Sequence, residues 1–174
     1  MNYILKLGVL YEENFKRDLA KIKSILIGAE KNIYTQEKEW IAKTNIRNRN
    51  NENYGDVRFR EYVLMDKEGE VIALGYPDYA KEENPDEVGW PATRVPKVDH
   101  AEVYIGEKKY ILEMQNSRNY KLKNCEEETV LQVVHKGICG GWNLEVKYKF
   151  PPEIICGIFL FCRYMEQENE LLII

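Results

Sequence analysis

The sequence predicts a mainly β protein, in which a closed antiparallel barrel surrounds a buried hydrophobic C-terminal helix and a short N-terminal helix comes first. Three observations predict this fold class. From residue 33 onward, strand-like segments alternate with short charged turns. A single long apolar run, Ile154 to Met165, lies near the C-terminus. The composition suits one domain, because the 174 residues are 44% hydrophobic and include 12 tyrosines, whose rings favour sheets.

Four segments read as a strand, a charged turn and a second strand, and they lie at 33–42, 62–74, 103–114 and 120–134. In the second of them Asp66-Lys-Glu-Gly69 forms the turn, and Gly69 supplies the positive φ that a tight hairpin needs. Residues 142–150 then alternate strictly between apolar and polar positions. Because no helix-length segments separate these strands, the pattern indicates an antiparallel meander.

The N-terminal segment, residues 1–30, is predicted to contain a short amphipathic helix at 14–25. Phe15, Leu19, Ile22 and Leu26 follow the spacing i, i+4, i+7, i+11 that is typical of one helix face. The run at 25–27 is equally compatible with the start of a strand, and that alternative stays open. No signal peptide is expected, because Lys6 interrupts the first apolar stretch.

The apolar run predicts a helix at 151–166. Two prolines suit the helix start, Glu153 lies at the positive end of the dipole, and Arg163 is expected near the negative end. The residues between them are apolar on every face, so the helix must be surrounded by protein. Twelve residues at 1.5 Å each span only about 18 Å, against about 30 Å for a hydrocarbon core, so no transmembrane segment is predicted.

A meander of many short strands exposes two edges, and closure into a barrel removes them. A barrel of about eight strands is filled by its own side chains, whereas one with more strands has room for a central filler. Placing the apolar helix inside the barrel would therefore bury the helix and fill the space that the strands enclose. Burial of its large side chains, each contributing about 1.5–3 kcal/mol, would make the helix the energetic centre of the fold.

Several motifs together resemble the tubby C-terminal-like superfamily, whose relatives include tubby proteins, LURP-one-related proteins and phospholipid scramblases. The motifs are Asp66-Lys-Glu-Gly69-Glu-Val-Ile, Tyr120-Lys-Leu-Lys-Asn, Pro151 to Met165 and Glu168 to Ile174. The ending is most similar to small uncharacterised bacterial members. The resemblance implies one domain over 1–174, with about twelve antiparallel strands around the helix at 151–166 and a final strand at 170–174. Tubby domains bind phosphoinositides through basic residues that have no clear counterparts here.

The net charge of −4 disfavours a dedicated nucleic-acid-binding role, since such domains are usually basic. The four cysteines, Cys125, Cys139, Cys156 and Cys162, show no framework spacing. In a chain without an export signal they indicate reduced thiols and a cytoplasmic protein, which would be peripheral at the membrane if it binds lipid headgroups.

No group of residues predicts catalysis, a metal site or a cofactor. His135 and Cys139 are four residues apart, as in a thiol–imidazole pair or half a zinc site, but no second ligand pair follows. The glycines at 137–141 lack the ending of a phosphate loop and read as a turn. The carboxylates at 126–128 and 166–170 do not match a calcium-binding loop, and we interpret them as ordinary solvated side chains.

The best candidate site is a basic cluster around the asparagine-rich loop at 45–56: Lys43, Arg47, Arg49, Arg58 and Arg60. The two flanking strands would bring these charges to one end of the barrel, and guanidinium groups pair bidentately with phosphate. Nearby carboxylates offset part of this charge, and a net charge of −4 opposes binding to an anionic membrane. A plain solvated face is therefore the competing interpretation.

The sequence leaves two functional hypotheses. The first is a non-enzymatic binding module for an anionic lipid headgroup or another phosphorylated ligand at the membrane surface. The alternative is a structural or protein-interaction domain that docks a protein partner through the acidic, proline-rich loop at 77–99. An enzyme ranks third, because no nucleophile, base and orienting group come together.

Overall fold

A computed structural model describes residues 1–13, 17–24, 29–49, 60–79, 98–116, 118–137 and 140–170. Within these ranges, twelve strands form one closed antiparallel barrel that a single α-helix follows. The closed barrel and the C-terminal helix are therefore confirmed. The elements are β1 (Asn2–Lys6), β2 (Val9–Glu12), β3 (Arg17–Ser24), β4 (Lys31–Tyr34), β5 (Trp40–Asn48), β6 (Arg60–Asp66), β7 (Val71–Tyr79), β8 (Val98–Ile105), β9 (Lys108–Asn116), β10 (Asn119–Lys123), β11 (Thr129–His135), β12 (Trp142–Val146) and α1 (Pro152–Glu170).

Each strand pairs with its neighbours in sequence, and β1 pairs with β12 to close the barrel, Tyr3 lying opposite Leu144. Because all pairs are antiparallel, successive connections alternate between the two ends of the barrel. We call the end at which α1 begins the helix-entry end; it carries the β4–β5, β6–β7, β8–β9 and β10–β11 turns and the segment from β12 into α1. We call the opposite end, at which α1 ends, the helix-exit end; β5 and β7 end there, and β6 and β8 begin there.

Three turns of the helix-entry end share one hydrogen-bonded design. A side-chain oxygen of the first residue accepts the N–H of the residue four positions later, at 3.2, 2.9 and 2.9 Å in the turns that begin at Thr35, Asp66 and Asn124. The fourth residue of each turn has a positive φ, which is 68° at Lys38, 87° at Gly69 and 60° at Glu127. These turns explain why the hairpins form where the sequence predicted them.

The predicted N-terminal helix at 14–25 is wrong for its described part, because Arg17–Ser24 form β3. Ala20 lies opposite Leu10 of β2, and Ile22 lies opposite Ile33 of β4. The apolar spacing suited a helix, but a strand here connects β2 to β4 and keeps the barrel closed. The remaining residues of that prediction, 14–16 and 25, lie outside the described residues.

The predicted C-terminal helix is present, but it extends past 166 to Glu170. Arg163 therefore lies inside the helix rather than in its last turn, which carries no basic residue. Its guanidinium instead pairs with Glu166 and lies over the ring of Trp142. Glu170, predicted to begin a final strand, is the last helical residue, and 171–174 lie outside the described residues.

Helix side chains from Ile154 to Cys162, apart from Gly157, belong to the same buried core as the inward side chains of the strands. Gly157 lies so close to β6 that a Cβ atom there would be 2.6 Å from Leu64 Cδ2. The Phe159 ring packs against Trp142 of β12, with 5.0 Å between ring centroids. The helix thus contacts strands that are far apart in the barrel order.

The alternation predicted for 142–150 is confirmed for β12, where Leu144 and Val146 are buried. It is wrong beyond Val146, because residues 147–150 leave the sheet. The Phe150 N–H bonds to the Tyr148 carbonyl at 2.9 Å, and the chain turns towards α1. Tyr148, predicted to face the core, is 47% exposed.

Candidate binding groove

A cavity of about 640 Å³ opens at the helix-entry end of the barrel. Three segments line it: residues 107–110 at the β8–β9 turn, 124–126 at the β10–β11 turn, and 148–150 ahead of α1. We call this cavity the entry groove. Its volume lies within the range of about 300–1,000 Å³ that is typical of small-molecule sites.

Three aromatic rings form one side of the entry groove. Tyr110 is buried, Phe150 is half-buried, and Tyr148 stands at the rim. Phe150 packs against Tyr110 with ring centroids 6.1 Å apart and planes at 75°, and against Tyr148 at 6.3 Å and 55°. We call these three cavity-lining rings the aromatic corner. Burial raises the pKa of Tyr110, and its neighbours Tyr148 and Cys125 raise it further, so this hydroxyl stays neutral.

Three lysines line the groove, and they differ in their partners. Lys109 donates a hydrogen bond to Glu102 Oε1 at 2.6 Å on the outer face of the barrel. That bond lowers the pKa of Glu102 and raises the pKa of Lys109. Lys108 and Lys149 are exposed at the rim, and neither has a carboxylate partner among the described residues. These two ammonium groups remain free for an external anion.

Cys125 is the exposed thiol of the groove. Cys156 and Cys162, by contrast, are buried in α1, and desolvation raises the pKa of both thiols well above their ordinary value. Since the thiolate is the reactive form, Cys125 is the thiol among these three that a reagent in solution can reach.

The predicted basic cluster is brought together only in part. Lys43 and Arg47 lie on the outer face of β5, and Arg49 follows directly after the last residue of the strand, Asn48. Lys43 pairs with Glu30 at 3.9 Å, and the Arg49 guanidinium lies 4.4 Å from the centre of the Tyr76 ring.

The arginines nearest the helix-exit end form ion pairs on different faces of the sheet. Arg47 pairs with Glu61, which lies opposite it on β6. Arg60 follows the other face and pairs with Glu168 of α1 at 2.5 Å. Arg58 lies outside the described residues. Within the described part, every predicted cation therefore already has a protein partner.

The other motifs considered in the sequence are explained by local structure. The His135 ring packs against Trp142 at 5.1 Å, and its Nδ1 accepts the Gly137 N–H at 3.2 Å. Cys139 lies outside the described residues. Across the described ranges, no three His, Cys, Asp or Glu side chains are placed to hold a metal ion.

The predicted acidic loop at 77–99 is shorter than expected. Its first residues belong to β7 and its last to β8, with Asp78 opposite His100 and Tyr79 opposite Val98. Residues 80–97, with most of the acidic side chains, lie outside the described residues.

Sequence reasoning missed the entry groove because no single motif encodes it. Its residues come from two hairpin turns and from a segment that the alternation assigned to a strand. The available signal was topological: in an antiparallel meander every second turn lies at the same end, which brings 107–110 and 124–126 together beside the residues after β12.

No protein-family model, curated protein or solved structure matches the chain. Among the described residues, no helix is both long and apolar enough to cross a membrane.

Proposed function

We propose that this protein is a non-enzymatic binding module for a phosphorylated ligand, either a soluble phosphate ester or a lipid headgroup, and that the phosphate binds at Lys108 and Lys149. The observation that carries the proposal is the pair of lysines without carboxylate partners at the rim of a small-molecule-sized groove. Free ammonium groups beside low-dielectric aromatic walls attract a phosphate more strongly than fully solvated ones.

The arginine cluster is the less favourable phosphate site because its charges already stabilise the fold. A phosphate at Arg60 competes with Glu168, whose side chain is only 5% exposed. Removing its partner would leave a buried carboxylate uncompensated, which costs several kcal/mol. At Arg47 the competing carboxylate, Glu61, is buried as well.

We also infer that the barrel belongs to the tubby C-terminal-like superfamily and that α1 lies along its axis. The sequential twelve-strand closure supports this assignment, as does the contact of α1 with β6 and with β12. We therefore expect Phe159→Asp to abolish soluble folding, because the new carboxylate would be buried away from water. A soluble variant with native circular dichroism would contradict the axial placement.

The functional test compares two double charge reversals. Lys108→Glu/Lys149→Glu alters the groove, whereas Lys38→Glu/Lys67→Glu makes the same net change in other turns of the same end. With glycerol 3-phosphate as the soluble probe, we expect the groove variant to bind at least about tenfold more weakly, because two charged contacts are lost. The control should change affinity by less than about threefold, through long-range charge alone.

A third variant, Arg47→Glu/Arg49→Glu, tests the arginine cluster on the same probe and on vesicles that contain phosphatidic acid. Binding that is lost in this variant and retained in the groove variant would move the site to the other end of the barrel. Failure of the wild-type protein to bind either probe would refute the proposed function.

A further inference from the structure

We propose that the ligand of the entry groove is zwitterionic: a phosphate ester that also carries a methylated quaternary ammonium group, of which phosphocholine is the simplest example. The phosphate half of this inference rests on the proposed function. The cationic half rests on different residues, the aromatic corner formed by Tyr110, Tyr148 and Phe150.

The aromatic corner suits a cation that cannot donate hydrogen bonds. A quaternary ammonium group gains most from the negative faces of several rings, and non-parallel planes let more than one face contact it. All three rings line the cavity, and the successive angles between their planes are 75° and 55°. The ring of Phe150 offers no polar atom, so it can contribute to binding a methylated cation only through its face.

The groove is lined by charges of both signs, and three turns of the same end are mainly acidic. Glu107 and Glu126 line the cavity together with the lysines. The three similar turns of this end, residues 35–39, 66–70 and 124–128, carry eight carboxylates and two lysines. Such a field repels a headgroup with several phosphates, whereas a ligand with one phosphate and one fixed positive charge gains from both signs.

The exposed thiol of Cys125 gives a direct readout of occupancy, because it lies in the groove. In a Cys139→Ser background, the alkylation rate of Cys125 is measured with phosphocholine, choline or glycerol 3-phosphate, and the affinities are measured by calorimetry. We expect phosphocholine to slow alkylation and to bind at least about tenfold more tightly than glycerol 3-phosphate, since only it engages the rings.

Substitutions at Tyr148 separate the two halves of the site. Tyr148→Leu should lower the affinity for phosphocholine about tenfold and leave the affinity for glycerol 3-phosphate unchanged. Tyr148→Phe, which keeps the ring, should bind both ligands as tightly as the wild type. Tyr11→Leu on β2 makes the same chemical change away from the groove and should alter neither. Unfolding temperatures of all three variants show whether each one is folded.

The two proposals fail in different ways. If glycerol 3-phosphate binds as tightly as phosphocholine and Tyr148→Leu affects neither, the phosphate site stands and the zwitterionic ligand is overturned. If no probe protects Cys125 or binds, both are overturned. The last measurement is binding of the protein to phosphatidylcholine vesicles. Vesicle binding that Tyr148→Leu abolishes supports a lipid headgroup as the ligand. Protection of Cys125 by free phosphocholine without vesicle binding supports a soluble ester.

Discussion

Removing one hydroxyl, in Tyr164→Phe, tests how α1 is fixed to the barrel wall. The buried Tyr164 hydroxyl donates to the Ala29 carbonyl at 2.7 Å and lies 2.7 Å from Thr44 Oγ1 on β5. A tyrosine hydroxyl has a single proton, so Thr44 must donate to the tyrosine oxygen. Burial raises the pKa of Tyr164 well above its ordinary value, so this chain of bonds stays intact at any moderate pH.

The expected loss follows from the groups left without partners. In Tyr164→Phe the hydroxyl of Thr44, which is fully buried, loses its acceptor and the Ala29 carbonyl loses its donor. An unsatisfied buried group costs about 1–3 kcal/mol, and Ala29 is only half-buried, so we expect a loss of about 2–3 kcal/mol. For a domain of this size that corresponds to a fall in Tm of roughly 4–12 °C.

The assay is urea denaturation followed by circular dichroism on a double-mutant cycle with Thr44→Val. Removing both hydroxyls leaves no buried orphan on β5, so the double variant should lose at least about 1 kcal/mol less than the sum of the single variants. Tyr148→Phe, the same change on an exposed ring, should stay within about 0.5 kcal/mol of wild type. Fully additive effects, or a Tyr164→Phe loss no larger than that of Tyr148→Phe, would refute the hydrogen-bond chain.

Two further predictions concern other contacts of α1. Gly157→Val should destabilise the protein by about 3 kcal/mol, because the new side chain would collide with Leu64 in a packed core. Adding Leu64→Ala in a double variant should restore part of that loss. Equal unfolding free energies for Gly157→Val and wild type would contradict the close approach of the helix to β6. Arg60→Met should lower the free energy of unfolding by up to about 3 kcal/mol, because Glu168 would be left buried and unpaired. Arg60→Met/Glu168→Leu should recover most of that loss in the same denaturation assay. A double variant no more stable than Arg60→Met would count against a buried ion pair.

The hairpins and the helix were predictable because their signals are local. Turns such as Asp66-Lys-Glu-Gly69 encode their own hydrogen bonds and positive φ, and the run from Ile154 encodes a helix by its length and flanking prolines. The segment at 17–24 was not predictable in this way. Leu19 and Ile22 satisfy a helical period, and only the non-local partners of β3, on β2 and β4, decide that it is a strand.

The candidate site was harder to predict than the fold, since its chemistry depends on partners distant in sequence. Arg47 and Arg60 lie on paired strands on either side of one loop, but on opposite faces of the sheet. Nothing near Arg60 in sequence shows that Glu168, separated from it by 108 positions, neutralises its charge. Likewise Lys149 and Tyr110 belong to one groove because the turns at this end of the meander lie side by side.

The two ends of the barrel use their charged residues differently. At the helix-exit end, Arg60 holds Glu168, and the Asn169 side chain bonds both the N–H and the carbonyl of Val98, at 3.0 and 2.9 Å. Replacing these groups is expected to lower the stability of the protein, so their charges and hydrogen bonds serve the fold. At the helix-entry end, Lys108 and Lys149 contribute to no such contact in the described structure, and their substitution should leave stability nearly unchanged. Because Lys108 and Lys149 supply charge at the cavity rim without such contacts, the contribution of this charge to ligand binding can be tested independently of stability.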